Sequence, residues 1–299
     1  MNKSSLVRIV PFFAATAACT PAPVSTPAPP EDDAPITRCV EPCFTLMTER
    51  ASPEQRDVAR TLLAADMIRI GLTVEYQPYT TSFTRRGVAT EYTGSNVVGV
   101  LPATDINADN PTSSGQRHIV IAAHYDTVPG SPGVDDNGSG VEIVLEVARR
   151  LAAMPRRTAT VHFVMLDQEE VGLVGARVNA ARWKESGIPL ESMNNIDMVG
   201  WDSDGDGVIE FDSNSEDLTA LYLEVAEGLP ISLLVTTYPN TDHEAYRREG
   251  FTVASISQEF EDGSENPDYH KPGDTEIQRP YYEGSRDLML GVFERLVSR

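Results

Sequence analysis

His118-Ile-Val-Ile-Ala-Ala-His124-Tyr125-Asp126 decides how this chain reads. The apolar run His118–Ala123 has the length of a strand, and it leads straight into a His-x-Asp pair. Side chains two positions apart on a strand point the same way, so His124 and Asp126 face a common point. Next comes Gly133-Val134-Asp135-Asp136-Asn137-Gly138-Ser139-Gly140, a glycine-rich turn leading into a helix over Gly140–Met154. Thr158–Leu166 is a second apolar strand, and it ends in Asp167-Gln168-Glu169-Glu170. Strand, helix and strand, with metal-type ligands at both strand ends, predict an α/β sheet that presents its chemistry along one edge.

The alternation extends in both directions. Upstream, Ser52-Pro53-Glu54-Gln55 is a helix start, with an N-cap Ser, Pro in the first turn and Gln three residues after the cap. Val58, Leu62, Leu63, Met67 and Ile70 follow at helical spacing, Gly71 stops the helix, and Leu72–Tyr79 alternates like a strand. Asn96–Leu101 is a further strand. Downstream, Val171–Ser186 reads as a helix, Leu190–Val199 ends in a strand, and Glu216–Glu227 is a helix. A strand at Ile231–Thr236, a short helix at Asp242–Glu249, a strand at Thr252–Ile256 and a closing helix at Tyr281–Val297 complete the pattern. The predicted fold class is α/β, a three-layer αβα arrangement around a central mixed, mostly parallel sheet. No internal repeat and no second domain interrupt it.

With 299 residues, 40% apolar and 23% charged, the chain can build one large globular core. Its 24 basic against 45 acidic residues give a net charge of -21. A surface of that sign repels phosphate, so nucleic acid is not an expected partner. Residues 1–18 read as an export signal of lipoprotein type. Lys3 and Arg8 supply positive charge, and Leu6–Ala18 is a short apolar stretch, broken by Pro11, that cannot span a bilayer. Thr16-Ala17-Ala18-Cys19 resembles a bacterial lipobox, which implies a lipid on Cys19 and membrane contact through that anchor alone. Ala15-Thr16-Ala17 leaves ordinary secretion open. Either way the chain is expected outside the cytoplasm, in the cell envelope, the periplasm or the medium. Residues 19–36, mostly Pro, Ala, Thr, Ser and acids, read as a tether, and 37–299 as the catalytic domain. Export permits a disulfide, and Cys39 and Cys43 are expected to form one.

Each ligand-bearing stretch also has a bland reading. An Asp at a helix start is commonly a cap, and adjacent acids are commonly a solvated first turn. Their succession in one chain favours a shared site. Adjacent carboxylates at a strand end repel each other unless a cation sits between them. Glu169 and Glu170 diverge in direction, so one can hold metal while the other takes a proton from a metal-bound water. Asp197, in Asn195-Ile196-Asp197-Met198-Val199-Gly200, is costly within an apolar strand unless paired. The acidic stretch Glu259–Asp268 reads as a loop that delivers Tyr269-His270. Two imidazoles among hard carboxylates suit zinc at neutral pH. His118 and His162 read as packing or surface residues, and His243 as a neighbour of the ligands.

Taken together these stretches, with Thr241-Asp242-His243 and Asp274, resemble the di-zinc aminopeptidase family over roughly Ser52–Arg299. That family is typified by bacterial leucyl aminopeptidases, and glutamate carboxypeptidases and glutaminyl cyclases are similar relatives. The resemblance implies two zinc ions, His124 and Asp197 completing one site, Glu170 and His270 the other, and Asp136 bridging them. It implies Glu169 as general base and Tyr269 as a hydrogen-bond partner of the tetrahedral intermediate. It also implies Asp126 and Asp242 behind the ligands, Asp126 orienting His124, and a cis peptide after the bridging Asp. Asp167-Gln168 stands where Gly-Ala is more usual, and Thr241 where Ser is common. The implied activity is removal of N-terminal residues from peptides, with the peptide as the partner and a monomer as the expected state. A carboxypeptidase or dipeptidase, or a glutaminyl cyclase-like acyltransferase, remains open on the same frame.

Asp202-Ser203-Asp204-Gly205-Asp206-Gly207 resembles the start of a calcium loop. Such a loop would gather Asp202, Asp204, Asp206, the Val208 carbonyl and Glu210 around a Ca2+ ion. Ser213 takes the place of the usual final Glu, and a Gly/Asp-rich turn between two strands is the alternative.

Overall fold

A computed structural model describes residues 44–85, 87–104, 117–260 and 264–299. The leader, Cys19, the tether and the Cys39–Cys43 pair lie outside the described residues. Helix α1 (Pro53–Ile70) begins as its sequence dictates. Gln55 N–H donates to Ser52 Oγ at 3.2 Å, and Ser52 N–H donates to Gln55 Oε1 at 2.8 Å. Gly71, at φ 97°, closes it. The buried stripe differs from the expected one. Leu63 and Met67 are buried, but Val58 and Leu62 face solvent. The helix is rotated so that Arg56 and Arg60 reach Asp167, which lies fully buried at the sheet edge. Asp167 is buried, and leaving its carboxylate unpaired would cost several kcal/mol.

β1 (Thr73–Arg85) and β2 (Val88–Leu101) form an antiparallel ribbon that runs well past the predicted strands. Its outer half is carried by Thr80, Thr81, Phe83, Thr90, Tyr92 and Thr93. Such β-branched and aromatic residues sustain cross-strand pairing without the apolar run that marks a core strand. The remaining strands are β3 (Arg117–His124), β4 (Ala159–Leu166), β5 (Leu190–Asp197), β6 (Val208–Ser213), β7 (Ser232–Val235) and β8 (Val253–Gln258). They join one eight-stranded sheet in the order β1-β2-β4-β3-β5-β8-β6-β7. β4, β3, β5 and β8 run parallel at the centre, and β6 and β7 are parallel to each other. The pairs β1–β2, β2–β4 and β6–β8 are antiparallel. The sheet is therefore mixed and mostly parallel. β6 pairs with β8 and not with β5, so the Asp202–Gly207 turn does not close a hairpin.

Helices cover both faces, and the alternation of β3 shows why the sequence demanded it. Ile119, Ile121 and Ala123 pack into one core with α1, α2 (Gly140–Ala152), α4 (Glu216–Ala226) and α6 (Arg279–Ser298). Val120 and Ala122 enter the opposite core, with α3 (Val174–Ser186) and α5 (His243–Arg248). A strand buried on both faces tends to a near-continuous apolar run, and each fully buried Val or Ile in it contributes roughly 1.5–3 kcal/mol. No described helix is long and apolar enough to cross a membrane.

Candidate metal centre

Four parallel strands end at one edge of the sheet, and β3 and β5 are adjacent there although their outgoing connections diverge. This is the crevice at which open α/β sheets place ligands. His124 is the last residue of β3 and Asp197 the last of β5. His124 Nε2 lies 3.2 Å from Asp197 Oδ1 and 3.2 Å from Asp136 Oδ1. The other Asp136 oxygen, Oδ2, lies 3.2 Å from His270 Nε2, which is itself 3.1 Å from Glu170 Oε2. Two trios result, His124–Asp136–Asp197 and Asp136–Glu170–His270, each with ligand atoms within 4.8 Å of one another. Asp136 belongs to both and turns a different oxygen to each.

The turn that carries Asp136 is held from three sides. Asp274 Oδ1 and Oδ2 accept the N–H groups of Asp135 and Asp136, at 2.8 and 3.1 Å. Asp135 Oδ1 accepts Gly200 N–H at 2.8 Å, and its Oδ2 accepts Asn266 Nδ2–H at 3.0 Å. Burial pushes the Asp135 carboxyl up to about 7. Gly133 is required by its φ of 62°, and a Cβ there would stand 2.3 Å from the Asp136 carbonyl oxygen. The Asp136–Asn137 peptide is cis. Sequence reasoning missed the residue behind the turn, Arg50. Fully buried, it donates to the carbonyls of Tyr125, Pro132 and Gly133 at 2.5, 2.7 and 2.9 Å. Desolvation lowers its guanidinium to about 10 although Asp136, Asp126 and Asp274 oppose that shift. Arg50 stands in no motif, so only the fold reveals its role.

Asp126 does more than was expected of it. Its Oδ1 accepts Glu169 N–H at 2.9 Å and its Oδ2 accepts Glu170 N–H at 3.3 Å. His124 Nδ1 is nearer the Asp126 carbonyl oxygen, at 3.2 Å, than the carboxylate, at 3.6 Å. The carboxylate thus fixes the paired glutamates, and the carbonyl faces the imidazole. Asp167, just before them, accepts Ser95 N–H and is paired with Arg60 at 3.1 Å. Arg56 Nε stands 2.9 Å from Asp167 Oδ1 as an ion pair without hydrogen-bond alignment. Gln168, Met198 and His270 hold φ values of 63°, 54° and 58°, so the left-handed region is occupied beside Glu169, beside Asp197 and at His270. Such strain is kept where surrounding contacts over-determine it.

The electrostatics call for a cation. Burial alone would lower His270, yet Asp136 and Glu170 outweigh it and lift it to about 10. His124 is likewise raised well above its ordinary range, as Asp197, Asp126 and Asp136 overcome desolvation. Glu169 is raised well above the usual carboxylate range by burial, with His124 opposing and Asp242 and Asp197 adding to it. Glu170 Oε1 and both Asp242 oxygens are buried without a hydrogen-bond partner among the described residues. A divalent ion held by the trios would relieve the repulsion among their carboxylates, and two imidazoles with three carboxylates fit zinc. The trios and Glu169 line a cleft of about 400 Å³ that Tyr269 also faces. Tyr269 stacks on His270 with ring centroids 3.8 Å apart, and burial followed by Asp136 raises its hydroxyl above the ordinary value.

The candidate calcium ligands divide. Asp202, Asp204 and Asp206 cluster together, with Asp202 accepting the N–H groups of Gly205 and Gly207. Glu210 is not among them. It lies on β6, where strand alternation turns it into the cleft that the trios line, and it accepts Phe260 N–H at 2.9 Å. The Val208 carbonyl accepts the Tyr281 hydroxyl at 2.7 Å. The five expected ligands therefore do not form one loop, because the strand begins before the loop sequence would finish.

Comparison with known proteins gives a consistent picture. Residues 96–286 match the model of peptidase family M28. The chain is 30% identical to aminopeptidase YwaD of Bacillus subtilis over 70% of its own length and 46% of that protein. It is 41% identical to the probable lipoprotein aminopeptidase LpqL of Mycobacterium tuberculosis over 25% of its length and 15% of that protein. It spans about half the length of the curated relatives it matches over most of its own folded part. The structure of BSAP, a zinc aminopeptidase from Bacillus subtilis, shares the fold with a TM-score of 0.71 at 16% identity, over 83% of this chain and 91% of that one.

Proposed function

The chain belongs to peptidase family M28, and from that membership we propose that it is a zinc-dependent aminopeptidase that removes N-terminal residues from peptides. The observation that carries this reading is the division of Asp136 between two ligand trios, each completed by one histidine and one further carboxylate. His124 and Asp197 would hold one zinc, Glu170 and His270 the other, with Asp136 shared. Bound zinc supplies Lewis acidity at the scissile carbonyl and lowers the pKa of the attacking water. Glu169 is in neither trio yet faces the cleft, so its carboxylate accepts the proton of that water and returns it to the leaving amine. Tyr269, kept protonated by its surroundings, donates its O–H to the oxygen on which charge develops. Asp126 holds both glutamates by their backbone and so keeps the base and the ligand apart.

A cleft this acidic receives a free α-ammonium group through its carboxylates. Leucine amide is therefore cleaved and its N-acetyl form is not, and comparing the two with zinc-loaded protein tests the reading. Equal rates on both would remove the aminopeptidase assignment, and ring closure of N-terminal glutamine in place of hydrolysis would move it to an acyltransferase.

Export is part of the same proposal. Its support is the leader of residues 1–18 that runs up to Cys19, together with the likeness to a probable lipoprotein aminopeptidase. A fatty-acid label incorporated in cells should disappear in Cys19→Ser; a wild type released without any label contradicts the anchor.

A further inference from the structure

Glu210 faces the cleft but belongs to neither ligand trio, and the sheet register sets where it stands. β6 pairs with β8 so that Glu210 is opposite Ser257, and β8 pairs with β5 so that Ser257 is beside Asp197. Residues directly opposite one another in a ladder share a face. Asp197, Ser257 and Glu210 therefore form one row across three strands, and all three line the cleft. Neighbouring strands lie about 4.8 Å apart, which puts the Glu210 backbone roughly 10 Å from that of Asp197. The Glu210 side chain is buried, and Phe260 N–H anchors one of its oxygens at 2.9 Å. Met198, Tyr238 and Phe260 line the same cleft.

Resting on the aminopeptidase reading above, we propose that Glu210 sets specificity for the first side chain of the peptide, and that this side chain is lysine or arginine. With the α-amine and the scissile carbonyl at the ligand cluster beside Asp197, the first side chain leaves from there. Followed along the row it passes over Ser257 and ends at Glu210. The four-carbon stem of lysine, or the arginine stem and its planar fork, reaches across one intervening strand; alanine and valine stop short of it. The methylenes lie on Met198 and the aromatic side chains, and the cation meets a fixed carboxylate with Tyr238 and Phe260 nearby. An acidic first residue meets repulsion at the same point. A net charge of -21 adds attraction for cationic peptides at low ionic strength.

The test uses zinc-loaded full-length protein and the p-nitroanilides of lysine, norleucine, leucine and glutamate. Norleucine keeps the lysine stem and lacks only its ammonium. The expected wild-type kcat/KM for lysine exceeds that for norleucine by roughly 10- to 100-fold, the worth of one charge-assisted hydrogen bond. The glutamate anilide is the poorest of the four. In Glu210→Gln the lysine-to-norleucine ratio falls toward one. A wild type that cleaves norleucine as well as lysine overturns the proposal, and that comparison stands even if the variant fails to fold. A lysine preference that survives in a Glu210→Gln enzyme still cleaving norleucine overturns it as well. Failure to cleave any of the four anilides contradicts the aminopeptidase reading itself, which separates the two claims.

Discussion

Glu169→Gln lowers turnover by about 10²–10⁴, the usual worth of a general base, and leaves zinc content and folding as they were. The substitution preserves size and one oxygen but removes the basic carboxylate. Neither ligand trio contains Glu169, so no metal bond is lost. Its backbone N–H remains on Asp126 Oδ1 at 2.9 Å, because that contact does not depend on the side chain. Glu170→Gln behaves differently. Glu170 Oε2 is in the trio with His270, so that variant weakens one zinc site and added zinc partly restores it. Both variants are assayed for turnover and bound zinc at matched free zinc. Zinc lost from Glu169→Gln and kept by Glu170→Gln reverses the two roles. Full activity in Glu169→Gln removes the proton transfer assigned to this residue.

Asp136→Asn reduces activity by about 10³-fold or more, the order expected when several kcal/mol of metal-ion stabilisation are withdrawn. The carboxylate offers one oxygen to each trio, whereas an amide offers one oxygen in total and no charge. Both sites weaken together, in contrast to His124→Ala or His270→Ala, which each empty one trio. Folding survives because Asp274 holds the Asp136 backbone and because one negative charge fewer eases repulsion in a crowded cluster. Zinc analysis beside a thermal melt separates the effects. An Asp136→Asn protein that keeps two zinc ions contradicts the bridge.

How much of this was legible in the sequence depended on whether a residue's neighbours in the chain are also its neighbours in space. β3 and β4 were legible because they bury both faces and read as near-continuous apolar runs; β5 and β8 bury Asn194, Asn195, Ser255 and Ser257 as well, and stood out only through their place in the alternation of helices and strands. The strand ends then placed His124, Glu169, Glu170 and Asp197 at one edge. The outer β1–β2 ribbon was not legible, because its threonines and tyrosines alternate without an apolar face. Arg50, Arg56 and Arg60 were invisible for another reason. Each is paired with an acceptor far along the chain, the Pro132 and Gly133 carbonyls for Arg50 and Asp167 for the others. Glu210 was placed in a calcium loop because the run Asp202-Ser203-Asp204-Gly205-Asp206-Gly207 precedes it. The strand that starts at Val208 carries it to the cleft instead.

The central claim is that one shared carboxylate assembles two metal sites. It is tested most directly by titrating metal-stripped protein with zinc and counting the ions that bind tightly, in the wild type and in His124→Ala and His270→Ala. The expected result is two zinc ions per chain in the wild type and one in each variant. A wild type that saturates at one zinc, or a histidine variant that still binds two, contradicts it.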